Sequence, residues 1–156
     1  QLQLHGSSLA RVDPVPLLIQ SLDHIQGLGR CREELFTVLT ELYNNALDHG
    51  VLRLDSSMKT DADGYTDYFR LRKQRLQALQ DGSVTVLLRH VPVDQGGRLM
   101  IRIEDSGEGF DVDAVLQQQV ASPILYGRGI HLVKGLSTSL EYHGGGRIAE
   151  AVFEWG

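Results

Sequence analysis

The stretch ELYNNALDHG, residues 41–50, holds two consecutive asparagines inside a segment that otherwise predicts a helix. Apolar residues recur at helical spacing through it and before it, at Leu35, Val38, Leu39, Leu42 and Ala46. Asparagine is a poor helix former, because its amide competes for nearby backbone groups. The pair Asn44 and Asn45 therefore needs an explanation other than helix stability.

Composition and charge limit the classes of protein and partner. With 156 residues, of which 42% are apolar, the chain is long enough for one domain with a buried core. The net charge of −5 argues against non-specific nucleic-acid binding. No apolar run approaches the about 18 residues of a membrane span, and no signal peptide is visible. The single Cys31 excludes an internal disulfide and fits a reducing compartment, so we expect a cytoplasmic protein without a membrane or nucleic-acid partner.

Periodicity along the rest of the chain predicts an α/β fold. Alternation of apolar and polar residues predicts strands at the start of the chain, at 83–91 and 98–104, and in a last hairpin within 138–155. Helical spacing predicts helices from Pro14 to near Gly27, at 32–49, at about 65–80, at 112–120 and from Gly129 onward. We expect one domain, residues 1–156, built as a two-layer α/β sandwich with a mixed, mostly antiparallel sheet and helices on one face.

Glu41 and Asn45 are one helical turn apart, so their side chains lie on one face, beside the apolar stripe. An asparagine amide oxygen suits Mg²⁺, which takes hard oxygen ligands and keeps several of them from phosphates and water. A neighbouring carboxylate such as Glu41 can accept a proton from an attacking hydroxyl. A solvated helix face would explain Glu41 well, but it explains the asparagine pair poorly.

A second cluster, DSGEGF at residues 105–110, follows a predicted strand directly. The glycines at 107 and 109 let the backbone turn sharply and approach a ligand closely. A buried carboxylate at Asp105 could accept a hydrogen bond from an exocyclic amine such as that of adenine. An ordinary Asp-Gly turn is the other interpretation.

The third cluster, YGRGIHLVKGL at residues 126–136, puts Gly127, Arg128 and Gly129 at the start of a predicted helix. Free backbone N–H groups and the helix dipole favour an anion at such a position, and Arg128 adds a charged donor. A plain helix start with an exposed arginine fits the same residues.

In this order the three motifs resemble a known family. E-x-x-x-N-A-x-x-H-G, D-x-G-x-G-F and G-R-G-I are similar to the N, G1 and G2 boxes of the GHKL ATPases, which share the Bergerat fold. Over roughly residues 30–155 the chain most resembles the anti-sigma-factor serine kinases of bacterial partner switching. The resemblance implies a Bergerat-type ATP-binding fold that uses ATP and Mg²⁺ to phosphorylate a serine on a small antagonist protein. It also implies a sigma factor as a further candidate partner and a homodimer as the candidate assembly.

The same resemblance implies roles for individual residues. Glu41 would be the general base and Asn45 the Mg²⁺ ligand. Asp105 would bind the adenine amine in a pocket shaped by Gly107 and Gly109. The remaining expected contacts are Gly127, Arg128, Gly129 and Ile130 at the phosphates, and Asn44, Asp48 and His49 at the pocket border.

Two features depart from the family's pattern. The last hairpin, GGGRIAEAVF, lacks the threonine that usually supports the adenine-binding aspartate. A loop and helix, about residues 54–82, are inserted after the first motif, and this insertion resembles the C-terminal kinase-like domains of proteins with receiver and PP2C-type phosphatase domains. Because the first residue is Gln1 rather than Met, we expect the chain to be a piece of such a longer protein.

The same sequence features also agree with other functions and with a further binding surface. A nucleotide-gated module that captures a partner without phosphotransfer would agree with the missing threonine and the insertion. A histidine-kinase catalytic domain is disfavoured, because His24 is the one histidine predicted on a suitable helix and the segment 110–126 is short for a lid. The scattered histidines and lone Cys31 argue against metal chemistry beyond Mg²⁺. The basic run RLRKQR, residues 70–75, predicts a solvated helix face or a docking surface for an acidic partner.

Overall fold

Alternating apolar residues build a five-stranded sheet. The computed structural model describes residues 1–59, 61–121 and 129–156. The strands run in the spatial order β1-β2-β3-β5-β4 and are β1 (Leu2–His5), β2 (Ser83–Val93), β3 (Gly96–Asp105), β4 (Ser139–His143) and β5 (Ile148–Trp155). All four pairings are antiparallel, so the sheet predicted as mixed and mostly antiparallel is antiparallel throughout the described residues.

Strand β3 lies at the centre of the sheet and aims its last side chain into the core. Leu99, Ile101 and Ile103 are at most 1% exposed and line the face that the helices cover. Successive side chains of a strand point to opposite faces, so a residue two positions further along shares that buried face. Asp105 is that residue, and it is 2% exposed. The period of the strand therefore buries a carboxylate at its end.

Helices cover the buried face of the sheet. They are α1 (Ser8–Arg11), α2 (Pro14–Ser21), α3 (Arg32–Asn45), α4 (Ala62–Ala78), α5 (Val112–Ala121) and α6 (Gly129–Leu136). Helix α3 packs against α2 and α6, and its apolar stripe from Leu35 to Leu42 is buried. The predicted two-layer α/β sandwich is confirmed. Among the helices of the described ranges, none combines the length and apolar character needed to cross a membrane.

Helix α2 is shorter than the sequence predicts. Asp13 caps it as expected, because its side chain accepts a hydrogen bond from Val15 N at 3.1 Å. Beyond Ser21, however, the backbone makes three-residue turns, with Leu22 N donating to Ile19 O. The prediction that a helix carries His24 is therefore wrong, since this exposed histidine lies in the turn that follows α2.

The first motif ends in a change of helix type. Helix α3 stops at Asn45, and Ala46–Val51 continue as a π-helix. The π-helix is rare and occurs frequently at functional sites. The wider turn buries Asp48, His49 and Gly50 together. Helix α4 then begins at Ala62, three residues before the predicted start, because Asp61 caps it by accepting a hydrogen bond from Gly64 N at 2.7 Å.

Candidate functional site

The carboxylate of Asp105 has one oxygen that the protein leaves unpaired. Oδ1 accepts a hydrogen bond from Gly107 N at 2.8 Å. Oδ2 is buried without a hydrogen-bond partner among the described residues. Burial raises the pKa of Asp105 to about 6, although the Gly107 N–H and the Arg147 charge lower it and Glu104 raises it further. A buried carboxylate oxygen without a donor is costly, so Oδ2 is suited to an N–H donor from a ligand.

Two glycines hold the backbone against this carboxylate. A Cβ on Gly50 would lie 2.3 Å from Asp105 Cγ, and a Cβ on Gly107 would lie 2.2 Å from Gly50 O. Both distances are far shorter than van der Waals contact, so neither position accepts a side chain without moving its neighbour. Gly50 is the last residue of the quoted opening stretch, yet the sequence did not single it out as a site residue.

Gly50→Ala should destabilise the folded chain, because the added methyl group would overlap the buried Asp105 carboxylate. Overpacking of this kind costs about 1–3 kcal/mol in the free energy of unfolding. Gly135→Ala is the matched control, since its Cβ would meet nothing within 4 Å and the residue lies in α6. Thermal unfolding should show a loss for Gly50→Ala and a gain of up to about 1 kcal/mol for Gly135→Ala. Equal melting temperatures for the parent and Gly50→Ala would contradict the packing of Gly50 on Asp105.

The loop after Asp105 is attached to the turn between β4 and β5. Gly109 has a φ of +89°, and a Cβ there would lie 2.1 Å from Gly145 O. Phe110 N donates a hydrogen bond to the same carbonyl at 2.9 Å. This close backbone approach requires glycine at 109 and fixes Phe110 at the edge of the site.

Asn45 is buried and faces Tyr142 of β4. The Asn45 Nδ2 atom and the Tyr142 hydroxyl are both buried. Burial raises the pKa of Tyr142, and the nearby Asn45 amide partly offsets that increase. The Tyr142 ring lies 5.9 Å from that of Phe110, and both rings line an open cavity of about 700 Å³. Asp105 and Asn45 do not line this cavity, which lies beside them.

Glu41 lies against the first residue of α6. A Cβ on Gly129 would be 2.0 Å from Glu41 Oε2, so the carboxylate touches a bare stretch of backbone there. Burial raises the pKa of Glu41, the Lys59 charge lowers it, and Asp48 raises it. The Glu41 carboxyl is therefore a stronger base than an exposed glutamate, and it touches the first described residue of α6.

Asp48 holds α4 to the end of the first motif. The Tyr68 hydroxyl donates a hydrogen bond to Asp48 Oδ2 at 2.9 Å, and Arg72 Nε donates to Oδ1 at 2.7 Å. Tyr68 is fully buried, and Asp48 is 7% exposed. Both carboxylate oxygens are thus engaged by the segment predicted as an insertion.

Arg75 fastens the same helix to the chain that follows the π-helix. Its Nη1 donates hydrogen bonds to Leu52 O at 2.7 Å and to Arg53 O at 2.8 Å. Residues 72 and 75 share one helical face, so both arginines turn toward the site. The interpretation of residues 70–75 as a solvated face is therefore wrong for Arg72, which is half-buried, while Arg70, Lys73 and Arg75 are exposed.

Lys59 reaches the site from the segment before α4. Its Nζ lies 4.2 Å from the centroid of the Tyr68 ring, and the residue is half-buried. Burial lowers the pKa of Lys59, the charges of Asp48 and Glu41 raise it, and Arg72 lowers it. Lys59 makes no ion pair within 4 Å among the described residues.

His49 packs at the border of the site. Its Nδ1 donates to Leu54 O at 2.9 Å, and its ring lies 5.3 Å from that of Phe110. Burial lowers the pKa of His49, with smaller opposing effects from Leu54 O and Asp48. A neutral ring in this environment supports Phe110 by packing.

The third motif is described in part. Gly127 and Arg128 lie outside the described residues. Gly129 and Ile130 open α6, and the Ile130 side chain is fully buried. A contact of Ile130 with a phosphate would therefore use its backbone N–H. Asn44 is half-buried beside Asn45.

Several residues at this site escaped the sequence prediction. Gly50 was visible as a glycine after the histidine of the first motif. Lys59, Tyr68, Arg72 and Tyr142 carry no local signal, because each reaches the site from a different part of the chain.

In the part of the chain that the structure describes, the site presents a buried hydrogen-bond acceptor that lacks a protein donor, and it does not present a cluster of metal ligands. Asp105 Oδ2 has no donor among the described residues, and Gly50 and Gly107 pack their bare backbone against the Asp105 carboxylate. Within residues 1–59, 61–121 and 129–156, no group of three or more His, Cys, Asp or Glu side chains could hold a metal ion.

Comparison with known proteins identifies a family for nearly the whole chain. A family model described as a histidine kinase-like ATPase domain matches residues 7–153. None of the curated proteins that were compared matches the chain.

Proposed function

Because the chain belongs to the histidine kinase-like ATPase domain family, we propose that it is a serine protein kinase of the anti-sigma-factor type. Family membership makes it an ATP-binding, kinase-like ATPase domain. The proposed substrate is a serine on a small antagonist protein of a bacterial partner-switching pathway, with a sigma factor as a further candidate partner. We further propose a cytoplasmic location and a homodimer, and that residues 1–156 form one domain with an insertion at about 54–82.

The position of Glu41 carries this proposal. A module that only binds nucleotide needs no base, whereas here a half-buried carboxylate with a raised pKa lies at the start of α6. A base of this kind accepts a proton from a hydroxyl more readily than an exposed glutamate does. Glu41 Oε2 would accept the proton of the substrate serine.

The other residues would hold and orient the nucleotide. Asp105 Oδ2 would accept a hydrogen bond from the adenine amine, because no protein donor reaches it in the described residues. The amide oxygen of Asn45 would bind Mg²⁺, and the free N–H groups of α6 would bind the phosphates. When bound, Mg²⁺-ATP supplies the transferable phosphoryl group and neutralises its charge.

A nucleotide-gated binding module is the second candidate function. One observation favours it: the buried face of β5 presents Ala149, Ala151 and Phe153, so no hydroxyl there supports Asp105. Such a module would change its affinity for a partner with nucleotide and leave the partner unmodified.

Phosphoserine detection separates the two candidates. The chain is incubated with Mg²⁺-ATP and a panel of purified small antagonist proteins, followed by mass spectrometry of each protein. The kinase proposal expects Mg²⁺-dependent phosphoserine on one member of the panel. Nucleotide-dependent capture of a panel member without phosphoserine would overturn it in favour of the binding module.

A further inference from the structure

The exposed side of α4 combines an aromatic ring with positive charge. Phe69 is 57% exposed, more than any other large apolar side chain in the described part of the chain. Residues three and four positions apart are neighbours on a helix, so the exposed residues around Phe69 form one continuous face. This α4 outer surface consists of Thr66, Phe69, Arg70, Lys73 and Gln77. Aromatic residues and arginine are the residue types that most often anchor protein interfaces.

Phe69 is held in place before any partner binds. Its ring stacks on that of Tyr65, with 6.2 Å between the centroids, and meets the buried Tyr68 ring edge-on at 5.7 Å. Tyr68 is fixed in turn, because its hydroxyl donates a hydrogen bond to Asp48 at 2.9 Å. A preorganised side chain loses little conformational freedom on binding, so more of its contact area contributes to affinity.

The charge of this part of α4 is opposite in sign to that of the whole chain. Residues 68–80 contain four basic residues and no acidic one, whereas the chain carries a net charge of −5. Arg72 and Arg75 donate hydrogen bonds to the body of the domain. The positive charge that remains for a partner is therefore that of Arg70 and Lys73, which lie beside Phe69 on the α4 outer surface.

These two charges are weakly engaged within the chain. Arg70 contacts the exposed Asp67 at 3.4 Å, and Lys73 makes no ion pair within 4 Å among the described residues. They favour a partner surface that carries carboxylates around an apolar pocket. Two basic residues on a chain of net negative charge are too few to hold nucleic acid or an anionic membrane, which are bound by larger basic clusters.

Helix α4 is also fixed in position relative to Glu41. Tyr68 and Arg72 bind both carboxylate oxygens of Asp48, which follows Glu41 by seven residues. Seven residues make about two helical turns, so α4 is attached roughly 10 Å along the helix from the proposed base. A protein docked on α4 would therefore be held at a constant position relative to Glu41.

We propose that the α4 outer surface docks the antagonist protein on which the site acts, with Phe69 in an apolar pocket of that protein and carboxylates facing Arg70 and Lys73. The inference rests on the proposed function and adds to it the surface that selects the partner and the chemistry of the partner's contact. Tyr68 and Arg72 act as positioning residues, since they hold α4 to Asp48.

The test titrates the panel of purified small antagonist proteins into the parent and three variants by calorimetry. The variants are Phe69→Ala, Lys73→Glu and Arg89→Glu. Arg89→Glu is the matched control, because it changes the charge by the same amount at an exposed arginine of β2.

One panel member should bind the parent with an affinity that falls as the salt concentration rises. Phe69→Ala and Lys73→Glu should each weaken this binding roughly tenfold or more, because a few central contacts carry most of the affinity of an interface. Lys73→Glu should also reduce the salt dependence. Arg89→Glu should match the parent, and the ATP affinity of all three variants should be unchanged.

Equal affinity of the panel member for Lys73→Glu and the parent would overturn the inference. This readout does not depend on the ring packing of Phe69, since Lys73 is exposed and unpaired in the described part of the chain. Absence of binding by every panel member would also overturn it. Binding of the parent to phosphatidylserine vesicles and to no panel member would replace the protein partner with a membrane surface.

The outcomes separate this inference from the kinase proposal. Phosphoserine that forms on a panel member with the same rate and KM in Lys73→Glu as in the parent would keep the kinase and reject the docking surface. Binding that is lost in Lys73→Glu, without phosphoserine on any panel member, would reject the kinase and keep the docking surface.

Discussion

Asp105→Asn should abolish nucleotide binding and at the same time make the folded chain more stable at pH 7. In the parent, Oδ1 accepts from Gly107 N and Oδ2 is left for the ligand. An asparagine must keep its single oxygen on Gly107 N, so its NH₂ group would face the adenine amine, donor against donor. A site built to form one specific hydrogen bond with its ligand binds much more weakly when that bond cannot form. We therefore expect ATP affinity to fall roughly a hundredfold or more.

The gain in stability has a separate cause. Burial of the ionised carboxylate is unfavourable, which is why the pKa of Asp105 is raised to about 6. A neutral amide removes that cost, and relief of about 1 kcal/mol would raise the melting temperature by about 2–4 °C. A merely structural aspartate would behave oppositely, losing stability on replacement.

Calorimetry with ATP and thermal unfolding at pH 7 check both effects on the same protein. Asp94→Asn is the control, since this aspartate is exposed in the turn between β2 and β3. It should leave both quantities unchanged. Undiminished ATP binding by Asp105→Asn would show that Asp105 does not contact the base.

The same carboxyl predicts a pH dependence with a defined sign. The pKa of Asp105 is about 6 in the folded chain against 3.8 for the free group, so the folded state holds its proton more tightly. The contribution of Asp105 to stability is therefore greatest below pH 3.8 and is lost as the pH rises through about 6. ATP affinity should follow the opposite course, falling as the pH drops below about 6, because a protonated Oδ2 cannot accept from the amine. Calorimetric titrations between pH 5 and 8, about the range over which most proteins are stable, would detect this change; a flat profile would contradict it.

Glu41→Gln should abolish phosphotransfer while leaving ATP binding intact. Glutamine has the same shape, so the contact with Gly129 is kept, but its amide cannot accept a proton. General-base catalysis contributes about 10²–10⁴-fold in rate, and we expect a loss of that size in phosphoserine formation. Saturating ATP in the assay removes any effect of ATP affinity from the measured rate.

Glu34→Gln is the matched control for this variant, because Glu34 is exposed in the first turn of the same helix. It should keep the parental rate. If Glu41→Gln kept the rate of the parent, Glu41 would not act as a base. The nucleotide-gated binding module would then be better supported than the serine kinase.

Local periodicity was sufficient for much of the fold and for the core of the site. The 3.6-residue period of α3 put Glu41 and Asn45 beside a buried stripe, and the two-residue period of β3 carried Asp105 onto the buried face. Both inferences use only neighbours along the chain. The sequence did not predict where α2 ends or that Ala46–Val51 form a π-helix. Both features depend on which carbonyl accepts a single backbone hydrogen bond, and the same side chains are compatible with an α-helix.

The sequence by itself determined the sandwich, the position of Asp105 at the end of a strand, and the placement of Glu41 and Asn45 on one face of α3. Only the tertiary structure decided which distant groups meet them. Tyr68 and Arg72 bind Asp48 from 20 and 24 residues away, Gly50 packs on Asp105, and Glu41 touches Gly129. These contacts depend on how elements that are distant along the chain pack together, and no period of the sequence encodes a distance between separate elements. The physical reason is that hydrophobic patterning selects the face of each element, whereas long-range packing selects its neighbours.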